Sequence, residues 1–126
     1  GTGVLAILCE MKGADKVLAV DIEPWSVENC RKNAVVNNCN RIESVLGDID
    51  AIIGNRFDVI FANINKNILL SHMPNYIQAL SPNGFLYLSG FFSSDAQEII
   101  DAAEGLGLSF SSKREREGWC MLVLKK

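Results

Sequence analysis

The stretch KVLAVDIEP, residues 16–24, contains a strand and the start of a helix. Its first part, Lys16 to Asp21, is a short apolar run with β-branched residues that stops at an acid, which predicts a buried β-strand. Ile22 and Glu23 are expected to form a turn. Pro24 suits a first helical position and predicts a helix over 24–37. A strand that passes directly into a helix is the repeating unit of an α/β protein.

The same alternation extends in both directions from this segment. Before it, we expect a helix over 3–11. After it, we expect strands over 42–46, 57–62 and 85–89, and helices over 68–80 and 93–106;. Residues 47–50 are predicted to be a loop, 81–84 a turn, and Ser93 or Ser94 a helix cap. Strands over 108–112 and 119–124 have no helix between them, and the charged residues 113–118 are expected to connect them. The predicted fold class is α/β: a mostly parallel sheet with helices on both faces and a C-terminal antiparallel hairpin at one edge.

The opening Gly1-Thr2-Gly3 is typical of a turn between a strand and a helix, yet no strand precedes it in the sequence;. We therefore expect a first β-strand before residue 1. Residues 1–126 are then expected to be one domain of a longer protein.

The composition narrows the function classes. A chain of 126 residues with 48% hydrophobic residues can form a domain with a buried core;. Twelve basic against fifteen acidic residues disfavour nucleic-acid binding by charge alone;. We expect no membrane segment and no signal peptide. The four cysteines form no C-x-x-C pair and only His72 could join them, so we expect free thiols in a reducing cytoplasm and no metal site;.

Candidate binding residues follow from the rule that open α/β sheets bind ligands beyond the carboxyl ends of their strands. Gly1 and Gly3 belong to a glycine turn that lets a ligand approach the backbone in front of a helix N-terminus. Asp21 ends a strand about twenty residues later, where an acid accepts hydrogen bonds from the two hydroxyls of a ribose. The alternative for Asp21 is a turn acid, and Glu23 is expected to be a charge near the helix N-terminus.

Two further groups follow later strands. Asp48 can accept a hydrogen bond from an adenine amine while Ile49 packs on the ring, but a solvated acid and a core isoleucine fit equally well. Asn63 offers an acceptor and two donors that can hold an amine substrate or the amino-acid part of a cofactor. The alternative for Asn63 is an Asx turn that starts the next helix, and Lys66 is expected to be solvated. All these groups should converge on one crevice.

Three motifs carry a resemblance to a known family. GTGVLAIL (1–8), AVDIEP (19–24) and FANI (61–64), together with Trp119-Cys120 after a charged segment, resemble the seven-stranded S-adenosylmethionine-dependent methyltransferases. The chain is similar in particular to the PrmA type, which modifies a large-subunit ribosomal protein. The resemblance spans nearly the whole chain and implies a Rossmann-like methyltransferase sheet. It also implies that the first strand and a separate substrate-recognition domain lie before residue 1.

The resemblance implies an enzyme and its residues. The reaction would be a direct in-line methyl transfer from S-adenosylmethionine to lysine and N-terminal amines, which needs alignment more than a dedicated base. Asp21 would bind the ribose, and Asn63, the implied catalytic residue, would contact the cofactor or the amine. Since the first strand would be absent, we expect the 126 residues alone to bind the cofactor weakly or not at all. The implied cofactor-binding residues are Gly1, Gly3, Asp21, Asp48, Ile49 and Asn63.

Other functions stay open. Methyltransferases of this fold that act on nucleic acid or on a release factor more often carry Asn-Pro-Pro-Tyr where this chain has Asn63-Ile64-Asn65-Lys66. An NAD-dependent oxidoreductase or a non-catalytic nucleotide-binding module fits Asp21, but the full G-x-G-x-x-G is absent because position 6 is Ala6;. The expected partner is a ribosomal protein, without direct nucleic-acid or membrane contact, and no oligomeric state is predicted.

Overall fold

Residues 2–126, the part of the chain that the computed structural model describes, form four α-helices and six β-strands. Two short 3₁₀ helices cover Ile49–Ile52 and Ser93–Asp95. The fold class is α/β, as predicted. The elements are α1 Val4–Met11, β1 Val17–Asp21, α2 Pro24–Val36, β2 Ile42–Leu46, β3 Phe57–Asn63, α3 Lys66–Ala79, β4 Leu80–Phe92, α4 Ala96–Gly105, β5 Ser109–Arg116 and β6 Trp119–Lys125.

The chain divides into two compact units, the first ending at Ala51 and the second running from Ile52 to Lys126. In the first unit, β1 and β2 pair in parallel, with Asp21 opposite Leu46 at their carboxyl ends. Ile7 of α1, Ala34 of α2 and the nearby Cys39 are buried together, and Ile42 of β2 packs against them. This small apolar cluster holds both helices against the strand pair.

The second unit contains a four-stranded sheet in the order β3-β4-β6-β5. β3 and β4 are parallel, whereas β6 is antiparallel to both β4 and β5. The predicted antiparallel hairpin at a sheet edge is therefore confirmed. The expected strand before residue 1 concerns sequence outside this chain and stays a prediction.

The core of the second unit forms where α3 and α4 pack on the sheet. Apolar residues alternate along β4 and β6, as they must in strands with one buried face. The helices contribute apolar pairs four residues apart, which lie on one helical face. The side chains with no exposed surface include Leu86, Leu88, Leu122 and Leu124 of the strands and Leu69, Met73, Ile99 and Ala103 of the helices.

Several predicted boundaries were wrong. The segment 81–84, predicted to be a turn, lies within β4, where Asn83 has a positive φ of 67° and the pairing with β3 jumps from Leu80 to Phe85. The Pro-Asn-Gly sequence therefore makes an irregularity inside a strand. Residues 113–116, predicted to be a connector, belong to β5, because pairing with β6 continues to Arg116.

Two smaller predictions also need correction. α4 begins at Ala96 after Asp95, while Ser93 and Ser94 belong to the preceding 3₁₀ helix, so neither serine is the cap of α4. The loop predicted over 47–50 runs into the 3₁₀ helix at Ile49. No helix within residues 2–126 combines the length and the apolar character needed to cross a membrane.

Replacing Leu88 by alanine tests the core of the second unit. Leu88 has no exposed surface, and shortening a leucine at such a site lowers the free energy of unfolding by about 2–5 kcal/mol. Leu106, 48% exposed after α4, is the matched control, and its alanine variant should lose less than about 1 kcal/mol. Urea denaturation followed by circular dichroism measures both variants. Equal losses would contradict the core described above.

Candidate functional site

Asp21 ends β1 at the carboxyl edge of the two-stranded sheet, as predicted. Its Oδ1 accepts a hydrogen bond from the backbone N–H of Glu23 at 2.9 Å, which orients the carboxylate. Burial raises the pKa of the Asp21 carboxyl, whereas hydrogen bonds to its charged form from the Glu23 N–H and from Ser26 lower it;. Asp21 is therefore ionised at neutral pH, the state in which it can accept hydrogen bonds from a diol.

The turn after β2 lies beside Asp21. The N–H of Gly47 donates to the carbonyl oxygen of Asp21 at 2.9 Å, so the ends of β1 and β2 are joined. Asp48 follows directly and is exposed; its Oδ1 accepts from the N–H of Ile49 at 2.8 Å. Asp48 is thus exposed before the 3₁₀ helix, as the alternative of a solvated acid expected, whereas Ile49 is half-buried and not part of the core. Contact of Asp48 and the half-buried Ile49 with an adenine stays a prediction.

Gly3 occupies a position that requires glycine. It precedes α1 with a positive φ of 84°, and a Cβ there would lie 2.6 Å from the Cys30 Sγ and 3.1 Å from the Cys30 Cα. The start of α1 can approach α2 only because Gly3 has no side chain. The amide of Asn33 also donates to the Thr2 carbonyl at 2.8 Å. Gly1 lies outside the described residues, and a ligand contact of Gly3 stays a prediction.

A small cavity lies between β1 and α2 in the first unit. Its volume is about 60 Å³, and its lining includes Gly3, Asp21, Cys30 and Ser44. The Ser44 hydroxyl donates to the Cys30 sulfur at 3.1 Å inside this region. A ligand pocket usually needs about 300 Å³ or more. A nucleoside would therefore have to lie on the surface beside Asp21 and not inside this cavity.

Asn63 ends β3, where it pairs in register with Ser89 of β4. Its side chain is exposed, and its carboxamide forms no hydrogen bond with any other group in residues 2–126. The helix cap that was the alternative role for Asn63 belongs to Asn65, whose Oδ1 accepts from the N–H of Ile68 at 3.1 Å. The Asn63 carboxamide therefore keeps both its donors and its acceptor for a ligand.

An open groove of about 730 Å³ begins at Asn63 within the second unit. Ser89 and Gly90 of β4 and residues of the neighbouring β5–β6 hairpin also line it. Its volume falls in the range of about 300–1,000 Å³ that is usual for ligand sites. The hairpin residues that line the groove are Arg114, Glu115, Arg116, Trp119, Cys120 and Met121.

The sequence analysis did not identify the hairpin as part of the groove. It predicted the charged residues 113–118 to be a connector and used Trp119 only as part of a family motif. Trp119 stacks on Phe92 with ring centroids 4.5 Å apart, and each ring is about half exposed. The Trp119-Cys120 motif was the available signal, but it pointed to a family and not to a position in the site.

Lys66 was expected to be solvated, and this prediction was wrong. Its Nζ lies 3.4 Å from Oδ1 of Asp95 and 3.4 Å from Oε2 of Glu98, and the side chain is only 28% exposed. The charges of Asp95 and Glu98 raise the pKa of Lys66. Lys66 thus connects the start of α3 to the start of α4.

The candidate residues fall into two groups. Gly3, Asp21, Asp48 and Ile49 belong to the first unit, and Asn63 belongs to the second. Within the first unit, Asp21 and Asp48 follow neighbouring strand ends, as predicted. The convergence of Asp21 and Asn63 on one crevice stays a prediction.

Comparison with known families identifies one match along the full chain. The sequence profile described as "Ribosomal protein L11 methyltransferase (PrmA)" matches residues 1–126. The ribosomal protein L11 methyltransferase of Phocaeicola vulgatus is 42% identical over 94% of this chain and 43% of its own length. The enzyme of the same name from Porphyromonas gingivalis is 42% identical over 97% of this chain and 42% of its own length. The chain thus spans somewhat less than half the length of these relatives.

Solved structures agree with this match. The crystal structure of the ribosomal protein L11 methylase from Lactobacillus delbrueckii subsp. bulgaricus superposes with a TM-score of 0.92 at 30% identity, covering 98% of this chain and 64% of that chain. The tRNA m1G37 methyltransferase of M. jannaschii has a TM-score of 0.83 at 21% identity, covering 99% of this chain and 42% of that one. At 21% identity, the similarity to the tRNA methyltransferase shows only that the two proteins share the Rossmann-like fold.

The ion pairs of Lys66 predict a pH dependence of stability. Because the pKa of Lys66 is raised by folding, its contribution is fully present below the pKa of lysine in the unfolded chain, about 10.4, and is lost as the pH rises through the higher folded value. We expect the Lys66→Gln variant to be less stable than the parent protein at pH 8. The difference should shrink above about pH 10.5.

Urea midpoints measured between pH 8 and pH 11 test this expectation. Lys32→Gln is the control, since Lys32 is exposed on α2 and forms no ion pair with residues 2–126. The control should differ from the parent by a constant amount across the range. A Lys66→Gln deficit that does not change with pH would show that the ion pairs do not stabilise the fold.

Proposed function

The chain belongs to the family of ribosomal protein L11 methyltransferases, and from this premise we propose that the complete protein transfers methyl groups from S-adenosylmethionine to amino groups of ribosomal protein L11. The acceptors are lysine and N-terminal amines, and residues 1–126 form the methyltransferase domain. The observation that carries the proposal is the family match over the whole chain together with an unpaired Asn63 carboxamide at the end of a groove.

The residues of the first unit suit the nucleoside part of the cofactor. Asp21 is an oriented carboxylate at a strand end, and a carboxylate with two oxygens matches a vicinal diol;. The positive φ of Gly3 lets the backbone in front of α1 face a ligand closely;. Asp21 would hold the ribose, Gly3 would lie against the methionine portion, and Asp48 with Ile49 would lie near the adenine.

The second unit suits the acceptor amine. When bound, S-adenosylmethionine supplies an electrophilic methyl group, which passes to the amine as the carbon–sulfur bond breaks. Asn63 accepts a hydrogen bond from the amine through its side-chain oxygen and so directs the nitrogen lone pair. The amine must arrive uncharged, with its proton released to water, because an ammonium ion has no lone pair. Alignment then supplies most of the rate, and no dedicated base is required.

The groove walls suit a lysine side chain. Trp119 and Met121 offer apolar surface for the alkyl stem, while Asn63 receives the terminal nitrogen;. The net charge of −3 supports direct contact with a protein and not with nucleic acid;. The four cysteines are free thiols, which supports a reducing compartment, and we place the protein in the cytoplasm;.

Replacing Asp21 by asparagine tests the cofactor assignment. The neutral amide loses charge-assisted hydrogen bonds to the ribose, and each such bond contributes about 1.5–3 kcal/mol. We therefore expect the dissociation constant of S-adenosylhomocysteine to rise about ten- to a hundredfold in the complete protein. Asp58→Asn, an exposed aspartate on β3, should leave it unchanged. Isothermal titration calorimetry measures both, and titration with NAD tests the oxidoreductase alternative. Binding of NAD without S-adenosylhomocysteine would overturn the proposed function.

Replacing Asn63 by alanine tests the acceptor role. Without the carboxamide the amine is not aligned, and we expect kcat for methylation of purified ribosomal protein L11 to fall about ten- to a hundredfold. Asn67→Ala, on the exposed part of α3, is the matched control and should retain kcat. Transfer of radiolabelled methyl groups and intact-mass spectrometry follow the reaction. Unchanged kcat in Asn63→Ala would remove Asn63 from the mechanism.

A further inference from the structure

Residues 63–66, from the last residue of β3 to the first residue of α3, are each held by a different contact. The N–H of Ile64 donates to the carbonyl of Ser89 at 3.0 Å. Asn65 caps α3 through its side chain, as described above. Lys66 forms its two ion pairs with the start of α4. The backbone of Asn63 pairs with β4, but its side chain makes no hydrogen bond within residues 2–126, so packing is the contact that holds the carboxamide.

That packing is against Gly90. An ideal Cβ on Gly90 would lie 2.5 Å from Oδ1 of Asn63, 2.8 Å from the Ile64 nitrogen and 3.0 Å from the Ile64 oxygen. Two of these three atoms belong to the backbone, so they cannot turn away as a flexible side chain would. The Asn63 carboxamide therefore occupies the space that any side chain at position 90 would fill.

The backbone at Gly90 is also unusual. Its φ is +93°, a value that L side chains rarely adopt;. The pairing of β4 with β6 is irregular between Leu88 and Phe91, and Gly90 lies inside that irregular stretch. Bulges of this kind often occur next to active sites, where they redirect the chain. The bulge here brings the backbone of β4 against Asn63.

We propose that Gly90 and Lys66 are positioning residues that together hold the Asn63 carboxamide at the end of the groove. Gly90 fixes the carboxamide from the side of β4, and Lys66 ties the far end of the same segment to α4. This proposal rests on the proposed function, because it assigns the two residues a role in aligning the amine that Asn63 binds. Displacement of an aligning group by about 1 Å can lower a rate up to a hundredfold.

The arrangement has a chemical advantage. A carboxamide held by hydrogen bonds would have to break them to bind an amine, whereas one held by packing keeps its donors and acceptor available. A group that folding has already placed in its reactive position contributes to the rate, because it does not have to be reoriented when the substrate reacts. A glycine at position 90 is then needed for catalysis as well as for the strand geometry.

The first experiment compares Gly90→Ala with Gly107→Ala in the complete protein. Gly107 has a φ of +98° and no atom within 4 Å of an added Cβ, so its alanine variant carries the backbone strain without the collision. We expect kcat to fall at least about tenfold in Gly90→Ala, with the KM for S-adenosylmethionine changed less than about twofold. Gly107→Ala should keep the parent kcat. Equal kcat values in the two variants would overturn the proposal.

A double variant tests whether Gly90 acts through Asn63. In an Asn63→Ala background the carboxamide is already absent and the added Cβ meets only the Ile64 backbone, so Gly90→Ala should lower kcat by a clearly smaller factor than it does in the parent protein;. A full multiplicative loss would show that Gly90 acts by another route and would overturn the proposal.

An NMR measurement gives an answer that does not depend on activity. The side-chain amide signals of Asn63 are assigned by their absence in Asn63→Ala. They should shift in Gly90→Ala and stay in place in Gly107→Ala. Unmoved signals in Gly90→Ala would overturn the positioning proposal even if methylation were observed. Conversely, a parent protein without methyl transfer to ribosomal protein L11 would overturn the proposed function and leave the NMR result to decide the positioning of Asn63.

Lys66 provides a second route should Gly90→Ala fold poorly. Lys66→Arg keeps the positive charge near Asp95 and Glu98, whereas Lys66→Gln removes it. We expect Lys66→Gln to lower kcat at least about threefold while Lys66→Arg retains most of it. The Asn63 amide signals should shift in Lys66→Gln and return in Lys66→Arg. A loss of kcat in both variants, or in neither, would contradict the role of Lys66.

Discussion

The parallel pairing of β3 with β4 is the constraint on which the groove depends. It sets Asn63 opposite Ser89 at the carboxyl ends of both strands, and so it brings the next residue of β4, Gly90, against the Asn63 side chain. Successive residues of a strand point to opposite faces, so a shift of the register by one residue would send the carboxamide away from the groove. The buried leucines of β4 prevent such a shift, because it would expose them.

Two different polar groups follow the strand ends of the two units. Asp21 is an ionised carboxylate, which can only accept hydrogen bonds, and its orientation is set by the Glu23 N–H;. Asn63 is a neutral carboxamide that can donate and accept, and packing sets its orientation. The first suits the hydroxyls of a sugar, and the second suits an amine that must lose its proton before it reacts. This division of chemistry fits the proposed transfer of a methyl group from a nucleoside cofactor to an amine.

Strand β5 shows why part of the site could not be predicted. All eight of its residues are exposed, so its sequence SFSSKRER carries no apolar alternation, which is the main signal for a strand;. It forms a strand because β6 supplies its hydrogen-bond partners, and this pairing does not require the β5 side chains to be buried. For that reason the sequence pattern did not indicate that Arg114 and Arg116 line the groove. Lys66 was misjudged in the same way, since its partners Asp95 and Glu98 lie about thirty residues further along the chain.

Local patterns by themselves determined the α/β class, the bounds of β2, the first residue of α2 and the terminal hairpin, because apolar periodicity, proline and glycine act over a few neighbouring residues. They also selected Asp21 and Asn63, because each polar residue follows an apolar run. Tertiary structure alone decided that Asn65, and not Asn63, caps α3, and that the hairpin lines the groove. It alone decided that Gly90 touches the Asn63 carboxamide. Such contacts join residues far apart in the chain, and only the packing of whole strands and helices brings them within reach.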